Sequence, residues 1–240
     1  MPSSPSSRLA TKLAPDRTAV LIIDYQNDFV AEGGALDKAG KHTPAFAAIE
    51  DVLSRLVEAA RSVGAMVVFV RCEYNRQGGD PYLSEAFLEQ AERRFNGLYT
   101  DIPVCVAGTW GQDFFGRLRP EPADLVVTKH RFNAFEGTDL DLLLRSRQIK
   151  TLVFGGVVTH VCVESSVRAA FFKDYSSVVV RDGTAGWNPE WHEYSLAVMD
   201  WGFAEVVPSQ AVLTAWRERG SRRHPDTAHI PQAPAVRSAN

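Results

Sequence analysis

The 240-residue chain is poor in cysteine: Cys72, Cys105 and Cys162 are its only three. Three thiols spread this widely make no disulfide framework. A reducing cytoplasm, which keeps a thiol free, is therefore the expected compartment. No apolar run approaches the ~20 residues that a membrane-spanning helix needs, so no membrane partner is expected. Neither sign of charge dominates: 26 Lys and Arg stand against 29 Asp and Glu, for a net charge of −3. That balance gives no electrostatic case for a nucleic-acid partner. The opening Met1-Pro-Ser-Ser-Pro-Ser-Ser lacks the apolar stretch of a signal peptide. Cys-x-x-Cys is absent, which argues against a dithiol oxidoreductase. Gly155-Gly156 alone is not a phosphate-binding fingerprint. The six histidines, at 42, 130, 160, 192, 224 and 229, form no ligand pair at helical or loop spacing, so neither a catalytic metal nor another cofactor is expected.

What is present is a regular alternation of two patterns. Continuous apolar runs mark strands at 19–23, 66–70, 124–128, 151–154, 177–181 and 204–207. Apolar residues at helical spacing predict helices at about 44–63, 83–94, 139–147, 162–173 and 190–201. Runs that are apolar throughout, not alternating, belong to strands buried on both faces. Strands separated by helices give parallel pairing through right-handed crossovers. The expected fold is thus α/β: a three-layer α/β/α sandwich around a mostly parallel sheet of about six strands. One domain over 16–218 is expected, with a flexible arm at 1–15 and a flexible tail at 219–240. Residues 71–110, with glycines at 78–79, are the least regular stretch.

In an open parallel sheet, sites form beyond the carboxyl ends of the strands. Asp24 follows the first strand, Lys129 the third, and the turn after the fourth leads to Cys162. A cysteine at a helix start meets unsatisfied N–H groups and the positive end of the helix dipole. Both favour a thiolate, so an unusually acidic thiol is expected at Cys162. A carboxylate, an ammonium and a thiol at one sheet edge suit a base, an electrostatic partner and a nucleophile. Cys72 also ends a strand, but a loop follows it, so it is read as a bystander. Cys105 is read as core. Gln26 and Phe29, just past the first strand, are candidate substrate contacts, as are Trp110, Phe135 and His160. Phe132 and Trp187 are further candidates for an aromatic wall, and Arg131 for holding a substrate carboxylate.

Three segments, Ile22-Ile-Asp-Tyr-Gln-Asn-Asp-Phe29, Val127-Thr-Lys-His-Arg-Phe-Asn-Ala-Phe135 and Gly155-Gly-Val-Val-Thr-His-Val-Cys-Val163, resemble the isochorismatase-like cysteine hydrolases in order and spacing. The resemblance runs from about Asp16 to Val212. It implies an amidohydrolase that cleaves a C–N amide or ureido bond of a small molecule through a thioester, releasing ammonia or an amine. It assigns Asp24, Lys129 and Cys162 as the catalytic triad. It also implies a cis peptide bond at Val157–Val158 and an oxyanion hole built from the Val158 and Cys162 N–H groups. A homo-oligomer, dimer or tetramer, follows from the same likeness. Gly108-Thr-Trp-Gly111 and Cys162–Arg168 resemble the ureidoacrylate and N-carbamoylsarcosine amidohydrolases most, while Arg71–Tyr74 depart from the ureidoacrylate pattern. Nicotinamidases of this superfamily carry an Asp-x-His…His metal cluster after the second strand, where this chain has no histidine. Two alternatives stand beside this reading: a non-catalytic binding member of the same fold, and an isochorismatase-type vinyl-ether hydrolase. The presence of Cys162 argues against the latter.

Overall fold

The computed structural model describes residues 5–74 and 81–223. Six strands form a single parallel sheet: β1 (Thr18–Ile23), β2 (Met66–Cys72), β3 (Leu125–Lys129), β4 (Thr151–Val157), β5 (Ser176–Ala185) and β6 (Glu205–Val207). Their order is β3-β2-β1-β4-β5-β6. The chain winds outward from β1 in one direction, then returns to β4 and winds outward in the other. The switch point therefore lies between β1 and β4, where the carboxyl ends part and leave a crevice.

The central strands β1 and β4 are buried at every position because they are apolar nearly throughout. Within β1, Val20 and Ile22 pack on one side with Leu53, Leu56, Val212 and Trp216. Those partners belong to α5 (Glu50–Val63) and α10 (Ser209–Arg223). Ala19, Leu21 and Ile23 pack on the other side with Leu140, Leu144, Val167, Leu196 and Met199. These come from α7 (Leu140–Ser146), α8 (Glu164–Phe172) and α9 (Pro189–Gly202). Each fully buried Val, Leu or Ile contributes roughly 1.5–3 kcal/mol, and this double-faced core is what fixes the sheet edge.

Several boundaries differ from the sequence reading. The segment expected as one helix at 44–63 is interrupted at Ile49, giving α4 (Ala45–Ala48) before α5. Gly64, in the left-handed conformation at φ 78°, ends α5. Strand β4 does not stop at Gly155 but runs to Val157, since Gly155 and Gly156 pair with Ile22 and Ile23 of β1. Gly156 is required there: at φ +113° a Cβ would lie 2.1 Å from the Ile23 carbonyl oxygen. Part of the expected arm at 1–15 is instead helix α1 (Pro5–Lys12). Leu13 beyond it is fully buried, and its carbonyl accepts a 3.0 Å hydrogen bond from Trp216 Nε1 of α10. Two apolar residues, Leu9 and Leu13, thus tie the segment to the last helix. Helix α10 itself covers 219–223 of the expected tail. Residues 224–240 and the glycines at 78–79 lie outside the described residues. Among the described residues no helix is long and apolar enough to cross a membrane.

Short helices α2 (Asn27–Val30) and α3 (Ala35–Lys38) follow β1, and α6 (Glu85–Arg94) follows the undescribed stretch after β2. All three lie in the connections that wall the crevice.

Candidate active site

Asp24 is the residue at which β1 ends. Its φ of 50° places it in the left-handed region, which a non-glycine residue occupies at an energetic cost and which Asp tolerates better than most. Its N–H donates to the Val70 carbonyl of β2 at 2.9 Å, and its own carbonyl accepts from Gln26 N at 2.8 Å. Those two bonds hold the turn that points the carboxylate over the sheet edge. Lys129 ends β3, directly across from Cys72, the last residue of β2. After β4 the Val157–Val158 peptide bond is cis, and a π-helical turn, Thr159–Val163, leads into α8. Cys162 lies in that wide first turn, not at the start of the regular helix as the sequence suggested.

The four side chains meet under the crevice. Lys129 Nζ lies 2.8 Å from Asp24 Oδ2, with both side chains at most 1% exposed. The same ammonium donates to Cys72 Sγ at 2.9 Å, to the Arg131 carbonyl at 2.9 Å and to Cys162 Sγ at 3.5 Å. The Cys72 thiol donates to Asp24 Oδ1 at 3.3 Å. Asp24 Oδ2 faces the Lys129 ammonium at 2.8 Å and has no other hydrogen-bond partner. A carboxylate oxygen carries two lone pairs, so one contact to the ammonium leaves it able to accept a proton.

The electrostatics follow from this packing. Burial alone would strip Lys129 of its proton, but Asp24, Cys162 and Cys72 around it more than compensate and hold it well above the ordinary lysine range. Cys162 moves the opposite way from the sequence expectation. Its contact with the Cys72 thiol, then burial and the charge of Asp24, raise it well above the ordinary thiol range, against the pull of Lys129. That direction favours the protonated thiol at rest, beside the Asp24–Lys129 ion pair.

Above the thiol lies a cavity reaching to solvent. Asp24, Val157, Val158 and Cys162 form its base. Phe29, Leu36 and Lys41 line one side, and Phe95, Leu98, Tyr99 and Phe132 another, with Val161 and Trp187 completing it. The aromatic side is rigid by mutual packing: Phe95 sits with its ring centroid 6.0 Å from those of both Tyr99 and Phe132, and Tyr99 lies 4.9 Å from Tyr74.

Of the expected substrate contacts, only Phe29 lines this cavity. Gln26 is fully buried and structural: its amide spans Cys72 N (2.7 Å), Cys72 O (3.0 Å) and Gln112 O (2.8 Å), tying β1 to β2 and to the 112 loop. Trp110 is half exposed, and its carbonyl accepts from Asn27. Phe135 stacks on Tyr175 in the core on the α7–α9 side of the sheet. His160 is wedged edge-on between Trp187 and Trp191, at 4.5 and 5.4 Å. Its ring nitrogens have no partner, and burial, with His192, lowers it to about 4. Arg131 donates to its neighbour's carbonyl, His130 O, at 2.7 Å. Phe132 and Trp187, read from the sequence as wall candidates, do line the cavity. The sequence reading missed Lys41, Tyr99 and the role of Cys72. Cys72 had a usable signal, since it ends a strand beside Lys129; the other two come from irregular loops that carry none.

Among the described residues no three His, Cys, Asp or Glu side chains are grouped to hold a metal ion. Where nicotinamidases place their ligand cluster, this chain has Arg71-Cys72-Glu73-Tyr74. Glu73 is engaged by Gln112 Nε2 at 2.9 Å, so these four residues do not fit a metal centre.

Residues 18–211 match the isochorismatase domain family. The chain is 34% identical over 192 residues to ureidoacrylate amidohydrolase RutB of Serratia proteamaculans, covering 78% of this chain and 77% of that protein. The fold superposes on nicotinamidase PncA of Bacillus subtilis with a TM-score of 0.67 at 33% identity, covering 80% of this chain and 99% of that one. An isochorismatase-like hydrolase of Alkaliphilus metalliredigens gives 0.70 at 30% identity, covering 83% and 99%.

Proposed function

Since the chain belongs to the isochorismatase family, we propose that it opens a small amide or ureido substrate with Cys162 as nucleophile, Asp24 as proton carrier and Lys129 as electrostatic partner. It is a hydrolase of carbon–nitrogen bonds other than peptide bonds. The observation that carries the residue assignment is the junction of Cys162 and Asp24 at the base of the cavity with Lys129 beneath it, its ammonium within reach of both.

The steps follow from the resting charges. Substrate enters with its carbonyl over Cys162. The thiol proton passes to Asp24 Oδ2, and the thiolate forms only as it attacks the carbonyl carbon. The Lys129 ammonium stabilises that thiolate at short range in a dry site, where such an interaction is far stronger than in water. The Val158 and Cys162 N–H groups hold the oxyanion. Collapse of the tetrahedral species breaks the C–N bond as Asp24 returns the proton to the leaving nitrogen. Water, deprotonated by Asp24, then cleaves the thioester, releasing the acid and restoring the thiol. Because Asp24, Lys129 and the two thiols interact, their titration belongs to the set and not to single residues.

Ammonia release over a panel of primary amides and ureido acids tests this reading. The wild type should turn over members of the panel and Cys162→Ala none. Equal release by both proteins would overturn it.

We also propose self-association through the outer face of α8 and α9, where Phe172, Tyr194 and Trp201 are 74%, 73% and 87% exposed. Exposed apolar surface of this kind, where it is contiguous, marks interaction sites. Sedimentation equilibrium showing a single monomeric species would overturn this part.

A further inference from the structure

We propose that Lys41 is a specificity residue, whose ammonium recognises a carboxylate on the part of the substrate farthest from the carbonyl that Cys162 attacks. This deepens the function proposed above and rests on it for the position of the reacting carbonyl.

Five observations converge on Lys41. It lines the cavity and is the one cation among the described lining residues. Lys129 lies beneath the base and is spent on Asp24 and two sulfurs. Nearly all the rest of the lining is hydrocarbon and aromatic ring, including Phe29, Leu36, Phe95, Leu98 and Phe132. Lys41 makes no ion pair with an Asp or Glu among the described residues; its ammonium instead sits 5.0 Å from the centroid of the Trp187 ring. Finally, exposure rises along the cavity, from Asp24 at 1% and Cys162 at 7% to the half-buried Lys41.

The physical consequence is selective. A ring face holds an ammonium in place without neutralising it. Flanking apolar groups exclude part of its water, which strengthens its attraction for an anion. An ammonium so held favours a carboxylate over an uncharged group of the same shape. The base of the cavity offers no rival site for that carboxylate, because Asp24 would repel it. The substrate is thereby oriented carbonyl inward, anion outward. Arg131, the sequence-level candidate for this task, donates to the His130 carbonyl and does not line the cavity.

The test uses a matched pair, 3-ureidopropionate and its methyl ester, which differ in charge but little in shape. Steady-state ammonia release gives kcat and KM for both, with wild type, Lys41→Arg and Lys41→Met. In the wild type the acid should be preferred. In Lys41→Met the ratio of kcat/KM for acid over ester should fall about thirtyfold, the scale of one charge-assisted hydrogen bond, and the loss should appear in KM. Lys41→Arg should retain most of the preference. Calorimetric titration of both probes into Cys162→Ala, with and without Lys41→Met, reads the same discrimination without turnover. An acid-to-ester ratio that Lys41→Met leaves unchanged, or a wild type that binds neither probe or prefers the ester, overturns the assignment. Absence of any Cys162-dependent amide turnover overturns the hydrolase reading instead, and the binding titration then still decides Lys41.

Discussion

The end of β2 and the turn after β4 each bring a thiol to the same ammonium, and the two thiols differ in access to the cavity. Cys72 is the nearer, at 2.9 Å from Lys129 Nζ against 3.5 Å for Cys162. It is also bonded to Asp24 Oδ1. Yet Cys72 is 1% exposed and does not line the cavity, while Cys162, at 7%, forms part of its base. On the proposed mechanism, closeness to a charge therefore does not select the nucleophile. Access does, and access depends on the wide turn Thr159–Val163 that follows β4.

The strongest way to break this comparison is to exchange each sulfur for oxygen. Cys162→Ser should lower kcat by at least about 10³-fold, as loss of a nucleophile does elsewhere. Cys72→Ser should cost no more than about tenfold, because a hydroxyl can still donate to Asp24 and accept from Lys129. Comparable losses in the two variants, measured by ammonia release, would show that both thiols take part in the chemistry.

Next comes the charge they share. Lys129→Met leaves Asp24 buried without its cation, a change that typically destabilises by about 3–5 kcal/mol. It should also slow acylation by roughly 10²-fold or more, on the scale of losing one preorganised electrostatic group. Chemical denaturation and single-turnover kinetics separate the two effects. A variant within tenfold of the wild type in acylation would make Lys129 a purely structural ion.

Alkylation sharpens the contrast further. Limiting iodoacetamide should modify Cys162 before Cys72 and Cys105, as mapped by peptide mass spectrometry. Because the Cys162 thiol is held above the ordinary range, its labelling rate should keep climbing above pH ~8.5, the ordinary thiol value, and not level off near neutrality. A plateau below pH 7 would mean that the resting site holds a thiolate.

The smallest expected effect concerns His160, in the same turn as Cys162. Its folded-state value is lowered from 6.5 to about 4. The unfolded chain therefore takes up this proton first as pH falls. The stabilisation from keeping His160 neutral is fully present above pH 6.5 and is lost progressively down to about 4. His160→Phe should flatten that part of the melting-temperature profile. An identical acid slope in wild type and variant would show that His160 is readily protonated in place.

Much of this organisation was legible before any coordinates. Runs such as Ala19–Ile23 and Thr151–Phe154 can only be strands covered on both sides, so a parallel three-layer sheet follows from their pattern. Asp24, Lys129 and Cys162 stand out because each lies just beyond such a run. The cavity lining was not legible in the same way. Phe95, Leu98 and Tyr99 come from an irregular loop without periodicity, and Lys41 from a short connection after α3. Gln26 and Phe135 were near the right strand ends, but proximity in sequence does not say which way a side chain turns. Gln26 turned to cross-link strands, and Phe135 turned into the core.

By itself, then, the order of residues determined the layered fold and which residues stand at its functional edge, because burial periodicity and strand ends are local properties of the chain. Only the tertiary structure decided the rest: that Cys72 joins the ion pair, that the Cys72 contact and burial raise the Cys162 thiol, and that Lys41 borders the cavity. Each of these depends on desolvation and on distances between segments far apart in the chain, quantities that exist only once the layers have packed.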